Sequence, residues 1–391
     1  MRRRVVLFCG GSGASRLVRM YAEMDQVDLT VLVNCYDDGL STGALRRVIP
    51  GLLGPSDVRK NVRSSLRRGR GDFAALDHVL GLRFRDHREG SAVLARPLSV
   101  LRDARLAGGL SRRSTTSLVD AVERFADYLR TDDRDLPLRD VALGNVVLAG
   151  LYLEGRDFNE SVRAFAEFAG IRTRVLNLTD GRDLRLVALT DRGQVVPDES
   201  GISSLRSSEK LADVFVLDNY LTDEESRRLD GLDKRQKRAH LSARSRVPRL
   251  NPEAGQAIAE ADVIIYWPGT QHSSLLPSYL TEGLAEAVSD SRADRKVLVM
   301  NAWRDNDIHN ESAYSLVDKF LWFMSRKGTR AVEAGSLATD VLLNRTRDRP
   351  AAPALPLGSP KRCYRGTEVH VDDWSDGRGG HAVPRMMAWL G

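Results

Sequence analysis

Residues 5–14, Val5-Val6-Leu7-Phe8-Cys9-Gly10-Gly11-Ser12-Gly13-Ala14, decide the fold. Apolar residues that do not alternate with polar ones predict a strand covered on both faces, as in a parallel sheet. The glycines end that run, and Leu17, Tyr21 and Met24 then recur at helical spacing. Leu29 to Val33 is a second buried run, reached by a connection long enough only for a helical crossover. The opening therefore reads as a βαβ unit, and a parallel sheet follows from it.

The same alternation extends outward. Arg174–Leu178, Leu184–Leu189, Val214–Leu217, Val263–Trp267, Val297–Asn301 and Val341–Leu343 read as strands. Asn145–Leu153 and Phe158–Phe168 read as helices, as does a segment opened by Asn251-Pro252-Glu253 with proline at its first turn. A further helix should run through Leu280, Leu284 and Val288. The apolar helix Leu316–Met324 should be core or a dimer face. We therefore expect an α/β, Rossmann-like, mostly parallel sheet with helices on both faces and a small basic insertion. Its core would span residues 1–345, with the insertion at about 221–250. Residues 346–391 would form a linker (Arg349–Pro360) and a C-terminal strand-helix extension packed on the core.

Composition narrows the function. Of the 391 residues, 42% are hydrophobic and 29% charged, which suits a globular chain with a large core. No window approaches the roughly 18 uninterrupted apolar residues of a membrane span. Arg2-Arg3-Arg4 precedes an apolar run too short for a secretory signal, so a cytoplasmic protein is expected. The three cysteines show no CxxC spacing, and the seven histidines show no zinc pattern. Net charge is +6, a mild preference for polyanions such as nucleotides. No zinc finger, RRM motif or aromatic-interleaved basic stripe accompanies it, so nucleic acid is not the expected partner. Arg227 to Arg249 holds nine Arg or Lys residues, and reads as a solvated helical insertion or a polyanion-binding lid.

Four segments could carry chemistry. Gly10, Gly11, Ser12 and Gly13 stand between a strand and a helix, where backbone amides and the helix dipole suit phosphate. They do not form a P-loop, because no Gly-Lys-Ser/Thr follows. Asn34 to Gly43 follows the second strand, at the carboxyl edge where open parallel sheets bind ligands. Its adjacent Asp37 and Asp38 suit Mg²⁺ shared with substrate phosphates, and the alternative reading is a cap for the helix around Ser41. In Pro55-Ser56-Asp57-Val58-Arg59-Lys60-Asn61, Ser56 or Asp57 caps a helix, and Arg59 and Lys60 would clamp an anion if they face the crevice. Trp267-Pro268-Gly269-Thr270-Gln271-His272-Ser273-Ser274 has the composition of a second phosphate cradle. His272 there reads better as a surface or hydrogen-bonding residue than as an acid or base. No Ser-His-Asp or Cys-His arrangement can be assembled.

In this order the four segments resemble the superfamily that unites 2-phospho-L-lactate transferases with the nucleotide-sugar-binding gluconeogenesis-factor proteins. Gly10–Gly13 is similar to its GGTG loop, residues 37–46 to DDGGSSGRLR, residues 55–61 to PGDIRN, and Gly144-Asn145 with Leu148-Ala149-Gly150 to GNLFLAG. Ala261-Asp262 through Pro277 resembles its AD-strand-GPGS block. Ser12 replaces the usual threonine, and Lys60-Asn61 stands where Asn-Cys is common. The resemblance implies a nucleotide conjugate held between the two glycine loops by Gly10–Gly13, Asn145, Gly269, Thr270, Ser273 and Ser274. It implies Asp57 beside a hydroxyl acceptor, Asp37 and Asp38 at Mg²⁺, and Asn34, Ser41, Arg59 and Lys60 around acceptor and anion. The expected activity is Mg²⁺-dependent transfer of a phosphoester-linked group from a nucleotide diphosphate conjugate to a hydroxyl, with release of NMP. The alternative is a non-catalytic nucleotide-sugar-binding regulator. A homodimer is expected in either case.

Overall fold

The computed structural model describes residues 2–84, 94, 109–131, 136, 138–205, 210–345, 353–377 and 380–390. In chain order the strands are β1 (Arg3–Phe8), β2 (Val27–Val33), β3 (Arg174–Asn177), β4 (Arg185–Thr190), β5 (Val195–Val196) and β6 (Leu211–Leu217). They continue as β7 (Val263–Tyr266), β8 (Arg295–Val299), β9 (Asp340–Asn344), β10 (Cys363–Tyr364) and β11 (Thr367–Asp372). The main sheet has the order β10-β11-β9-β8-β7-β1-β2-β3, and all its pairings are parallel except β10 with β11.

β1 sits at the centre because its side chains have no route to water: Val5, Val6, Leu7 and Phe8 are each at most 2% exposed. The chain first steps from β1 to β2 and β3, then returns to β7 on the other side of β1 and moves away through β8 and β9. The reversal between β1 and β7 is a topological switch point, and in doubly wound sheets the ligand crevice opens there, at the strands' carboxyl ends. The fold matches the expected class.

Between β3 and β7 the chain forms a second, antiparallel sheet, β5-β4-β6. Period-two alternation lets it serve two cores. Leu186 and Ala188 of β4 and Val214 and Val216 of β6 join the main core. Val187, Leu189, Phe215 and Leu217 face Leu229 and Leu241 of the helices Asp223–Asp230 and Lys234–Arg244. The basic insertion is thus the outer layer of a larger unit that begins at β4.

Two local expectations are corrected, and a third gains detail. The helix through Leu280, Leu284 and Val288 is two pieces, Leu276–Tyr279 and Leu284–Ser289, because Gly283 takes φ +86° and interrupts it. Neither Ser56 nor Asp57 caps the helix Ser56–Ser64: Pro55 holds the cap position, with both residues inside the first turn. In the C-terminal extension, β11 pairs parallel with β9, so part of it belongs to the main sheet. The linker expected at Arg349–Pro360 lies outside the described residues as far as position 352. The helix Ala313–Met324 spends Leu316, Val317, Phe320, Phe323 and Met324 on the core. No described helix is long and apolar enough to cross a membrane.

Candidate functional site

The two glycine-containing loops leave β1 and β7 side by side. A Cβ placed on Gly13 would lie 3.4 Å from the Pro268 carbonyl oxygen, and one on Gly269 would lie 4.0 Å from the Gly10 nitrogen. One on Gly10 would meet Ser274 Cβ at 3.4 Å. The Trp267 indole N–H donates to the Gly13 carbonyl at 3.1 Å, locking the loops together. Gln271–Leu275 forms a π-type turn, a local irregularity common at functional sites. Asn301, just past β8, donates to the Gly269 carbonyl at 3.0 Å and accepts from Gln271 at 2.7 Å.

Asp57 closes the floor. A Cβ on Gly11 would fall 2.3 Å from Asp57 Oδ1 and 2.5 Å from Lys60 Cδ, so only glycine permits this approach. Lys60 Nζ donates to Asp57 Oδ1 at 2.9 Å. Among the described residues no hydrogen bond reaches Asp57 Oδ2, which faces the Gly10 side. Asn61 donates to the Gly10 carbonyl at 2.9 Å and fastens the helix Ser56–Ser64 to the loop.

Asp37 stands on the neighbouring wall. Its Oδ1 accepts from the Gly39 amide at 3.0 Å and its Oδ2 from Thr42 Oγ1 at 3.3 Å. Thr42 is 2.6 Å from Ser56 Oγ, which accepts from Asn145 Nδ2 at 3.0 Å. Asn145 therefore reaches Asp37 through a buried hydroxyl relay, while its Oδ1 has no described partner. Burial, and then the charge of Asp57, push the Asp37 carboxyl above its ordinary range.

A third carboxyl was not among the sequence candidates. Glu199 opens the helix Glu199–Ser204 beyond β5 and is 7% exposed, and its Oε2 and Asp37 Oδ1 lie 3.1 and 3.3 Å from where a Cβ on Gly39 would sit. Burial, and next the charge of Asp37, raise its pKa to about 8. The only sequence signal was an acidic residue in a helix's first turn, which favourable interaction with the helix dipole already explains.

The remaining candidates separate. Asp38 turns away from this group: Tyr220 donates its hydroxyl to Asp38 Oδ2, and Arg46 lies 3.9 Å from Oδ1. Arg46, also absent from the sequence candidates, is 1% exposed. It donates to the carbonyls of Tyr36 and Asp37 at 3.0 and 3.1 Å, and to Asp183 and Leu184 at 2.9 and 2.5 Å. It fastens the acidic loop to the start of β4. Asn34 accepts from the Tyr36 amide at 2.8 Å, and its buried Nδ2 has no described partner. Ser41 opens the helix Leu40–Val48, but its side chain lies outside the described set.

Lys60 faces the crevice and Arg59 does not clamp beside it. Arg59 donates to the Leu80 carbonyl at 3.2 Å with its stem close to Gly144. Burial, and then the charges of Arg83 and Arg63, lower its pKa to about 10. Thr270 uses its carbonyl to receive the Ser274 and Leu275 amides. His272 is buried rather than at the surface. Its amide donates to Asp307 at 2.7 Å, its Nε2 lies 2.8 Å from Lys319 Nζ, and burial holds its pKa well below the ordinary value.

A cavity of about 890 Å³ opens beside the glycine loop, lined in part by Ser12, Gly13, Arg16, Arg19, Trp267 and His381. The nine-residue basic charge of the insertion is largely consumed locally. Arg244 pairs with Glu225 at 2.6 Å and Arg246 with Asp218 at 2.5 Å, while Lys234 and Lys237 donate to the Asp191 and Gly193 carbonyls at 2.5 and 3.0 Å. One further cluster among the described residues, Asp340, Glu368 and His370, brings possible metal ligands within 4.8 Å of one another. It lies at the amino ends of β9 and β11, away from the crevice, with Arg295 3.9 Å from Asp340.

The switch-point crevice, walled by two glycine loops and floored by buried acids, belongs to a doubly wound α/β protein. Residues 5–354 match the family model of the 2-phospho-L-lactate transferase CofD, and the chain belongs to that family. It is 26% identical over 333 residues to the gluconeogenesis factor of Halalkalibacterium halodurans, covering 85% of this chain and 76% of that one. To the gluconeogenesis factor of Bacillus subtilis it is 26% identical over 298 residues, covering 76% and 67%. Two crystal structures from Bacillus halodurans, one described as a UPF0052 family member, share its fold over 100% of both chains. Their TM-scores are 0.68 and 0.65, at 21% and 20% identity.

Proposed function

We propose that the protein is a Mg²⁺-dependent transferase that moves a phosphoester-linked group from a nucleotide diphosphate conjugate to a hydroxyl acceptor and releases NMP. One observation carries this reading: the Gly10–Gly13 loop and the Gly269–Ser274 turn lie against each other at the switch point, with Asp57 and Asp37 beside them. Backbone amides there suit a diphosphate, and the adjacent cavity of about 890 Å³ is large enough for a nucleoside. Family membership supports a substrate of this type.

The donor set suits Mg²⁺, which takes one or two carboxylates together with phosphate oxygens. Asp37 is the residue that would hold it, and the ion would neutralise diphosphate charge. Asp57 Oδ2, free of hydrogen bonds from the described residues, takes the acceptor's hydroxyl proton while the Lys60 bond to Oδ1 holds the carboxylate in orientation. The acceptor oxygen bonds to the distal phosphorus, the phosphoanhydride bond breaks, and its electron pair leaves on NMP. Catalysis of this kind is mainly positioning and charge neutralisation. Incubation with GDP-, UDP-, CDP- and ADP-linked conjugates, Mg²⁺ and alcohol acceptors tests the reading, which requires NMP to appear.

The relatives named gluconeogenesis factor favour a second reading, a regulator that holds a nucleotide sugar without consuming it. Ligand recovered intact after long incubation, with no NMP, would select it.

A further inference from the structure

We propose a second ligand site, for a small organic phosphate with an apolar body, in a cavity of about 800 Å³ where the helix Ala313–Met324 meets the small antiparallel unit and the hairpin of β10 and β11. It shares no lining residue with the switch-point crevice, and the proposal stands whether or not that crevice takes a nucleotide. Three observations carry it.

The first is cationic charge that the fold leaves unanswered. Asp318 is the one acid among the described residues lining the cavity. It is already committed, accepting from the Tyr364 hydroxyl at 2.8 Å and from Arg365 Nε at 2.9 Å. Lys319 is committed as well, donating to Glu311 Oε1 and to the Leu211 carbonyl, each at 2.6 Å. Arg238 and Arg330 remain. Arg238 lies 3.9 Å from Asp213, a carboxylate that Lys327 already holds at 2.7 Å. The Arg330 guanidinium has no hydrogen bond or ion pair with any described residue. Two guanidinium groups on one cavity suit a dianion, and the planar fork of arginine matches phosphate oxygens.

The second is the apolar wall. Leu321 and Trp322 of the helix and Val332 beyond it line the same cavity, and each is half-buried. A bare phosphate would leave that surface wet, whereas an aromatic or aliphatic body would cover it. The volume is within the range of small-molecule sites, which favour junctions between structural units.

The third is how the backbone carrying Arg330 is held. After the helix, Arg326, Lys327 and Gly328 take φ of 50°, 56° and 80°, a left-handed run that residues other than glycine adopt only against steric resistance. Two anchors keep it in place. Lys327 Nζ donates to the Val214 carbonyl and to Asp213, both at 2.7 Å, and sits 4.0 Å from the centre of the Phe215 ring. Arg326 pairs with Glu282 at 3.2 Å. The Arg330 amide then donates to the Ser325 carbonyl at 2.9 Å and closes the turn. Backbone strain of this kind persists only where the surroundings over-determine it, and here it fixes the segment that brings Arg330 to the cavity.

The test is calorimetric titration of the full-length protein with naphthyl phosphate, naphthol and inorganic phosphate. Naphthyl phosphate should bind at one site, at least about tenfold tighter than inorganic phosphate, and naphthol should show no saturable binding. Arg330→Gln and Arg238→Gln should each weaken naphthyl phosphate by about tenfold. Arg330 is exposed and unpaired among the described residues, so Arg330→Gln should leave the melting temperature of the free protein unchanged. Saturating GDP, UDP, CDP or ADP with Mg²⁺ should leave naphthyl phosphate bound. The proposal is overturned by absence of saturable binding up to about 1 mM, or by inorganic phosphate binding as tightly. Affinity indifferent to both arginine substitutions, or displacement by a diphosphate, would overturn it equally. The arginine variants decide the matter without any nucleotide, so failure of the crevice reading is a separate result.

Discussion

Two regions of this protein are dense in charge, and they use it in opposite ways. On the helices Asp223–Asp230 and Lys234–Arg244 the basic side chains lie at the surface and close their pairs with neighbours in the same unit, such as Arg244 with Glu225. At the switch point Asp57 and Glu199 are buried and Asp37 is half-buried beside them, and Lys60 bonds Asp57. Exposed pairs of the first kind contribute little. Buried like charges raise one another's pKa and persist at a cost that a fold without a ligand to hold has no reason to bear. Charge density by itself locates nothing, whereas burial combined with uncompensated sign locates the crevice.

Four substitutions would break or sharpen that contrast. Asp57→Asn should lower transfer by at least about 100-fold, the scale of a lost general base, while diphosphate binding survives. Unchanged turnover would remove Asp57 from the chemistry.

The next effect is on stability against pH. The folded-state pKa of Glu199, about 8, lies above its ordinary value of 4.5, so the folded protein holds the extra proton between those limits. Its contribution is therefore complete below about pH 4.5 and lost as pH rises through about 8. Without divalent cations, thermal melts should show Glu199→Gln matching wild type near pH 5 and melting higher near pH 8. Parallel pH profiles for the two proteins would contradict this assignment.

Gly11→Ala places a methyl 2.3 Å from the Asp57 carboxylate. The displacement should cost about 1–3 kcal/mol by denaturant titration and weaken diphosphate binding with it. A variant of full affinity would show that Asp57 is free to move aside. The smallest effect is expected from Arg235→Glu, a charge reversal on the exposed face of the basic helix. Stability should change by no more than about 0.5 kcal/mol and nucleotide affinity should not change at all. A large loss of affinity would revive the polyanion-lid reading.

The same contrast separates what the sequence discloses from what it conceals. Gly10–Gly13, Asp37, Asp57 and the Gly269–Ser274 turn were legible because each directly follows a strand or opens a helix. A parallel sheet sends all such segments to one edge. Glu199 was not legible, since a first-turn acid after a capping Asp198 has a sufficient local explanation. Only the packing of a second sheet brings it to Asp37. Arg46 looked like one more arginine at the end of a helix, and its burial depends on Asp183, a distant residue in sequence. Asp37 and Asp38 looked equivalent, but a one-residue step turned Asp38 toward Tyr220 and Arg46. The late strands β10 and β11 were hard to place because their partner β9 is fixed by the main sheet rather than by local pattern.

Calorimetric titration of wild-type protein with GDP, UDP, CDP and ADP, in the presence and absence of Mg²⁺, tests the central claim most directly. The account predicts that at least one diphosphate binds at a single site, markedly tighter with Mg²⁺, and that Asp37→Asn abolishes the Mg²⁺ gain. Binding of none of them, or binding indifferent to Mg²⁺ and to Asp37, would contradict it.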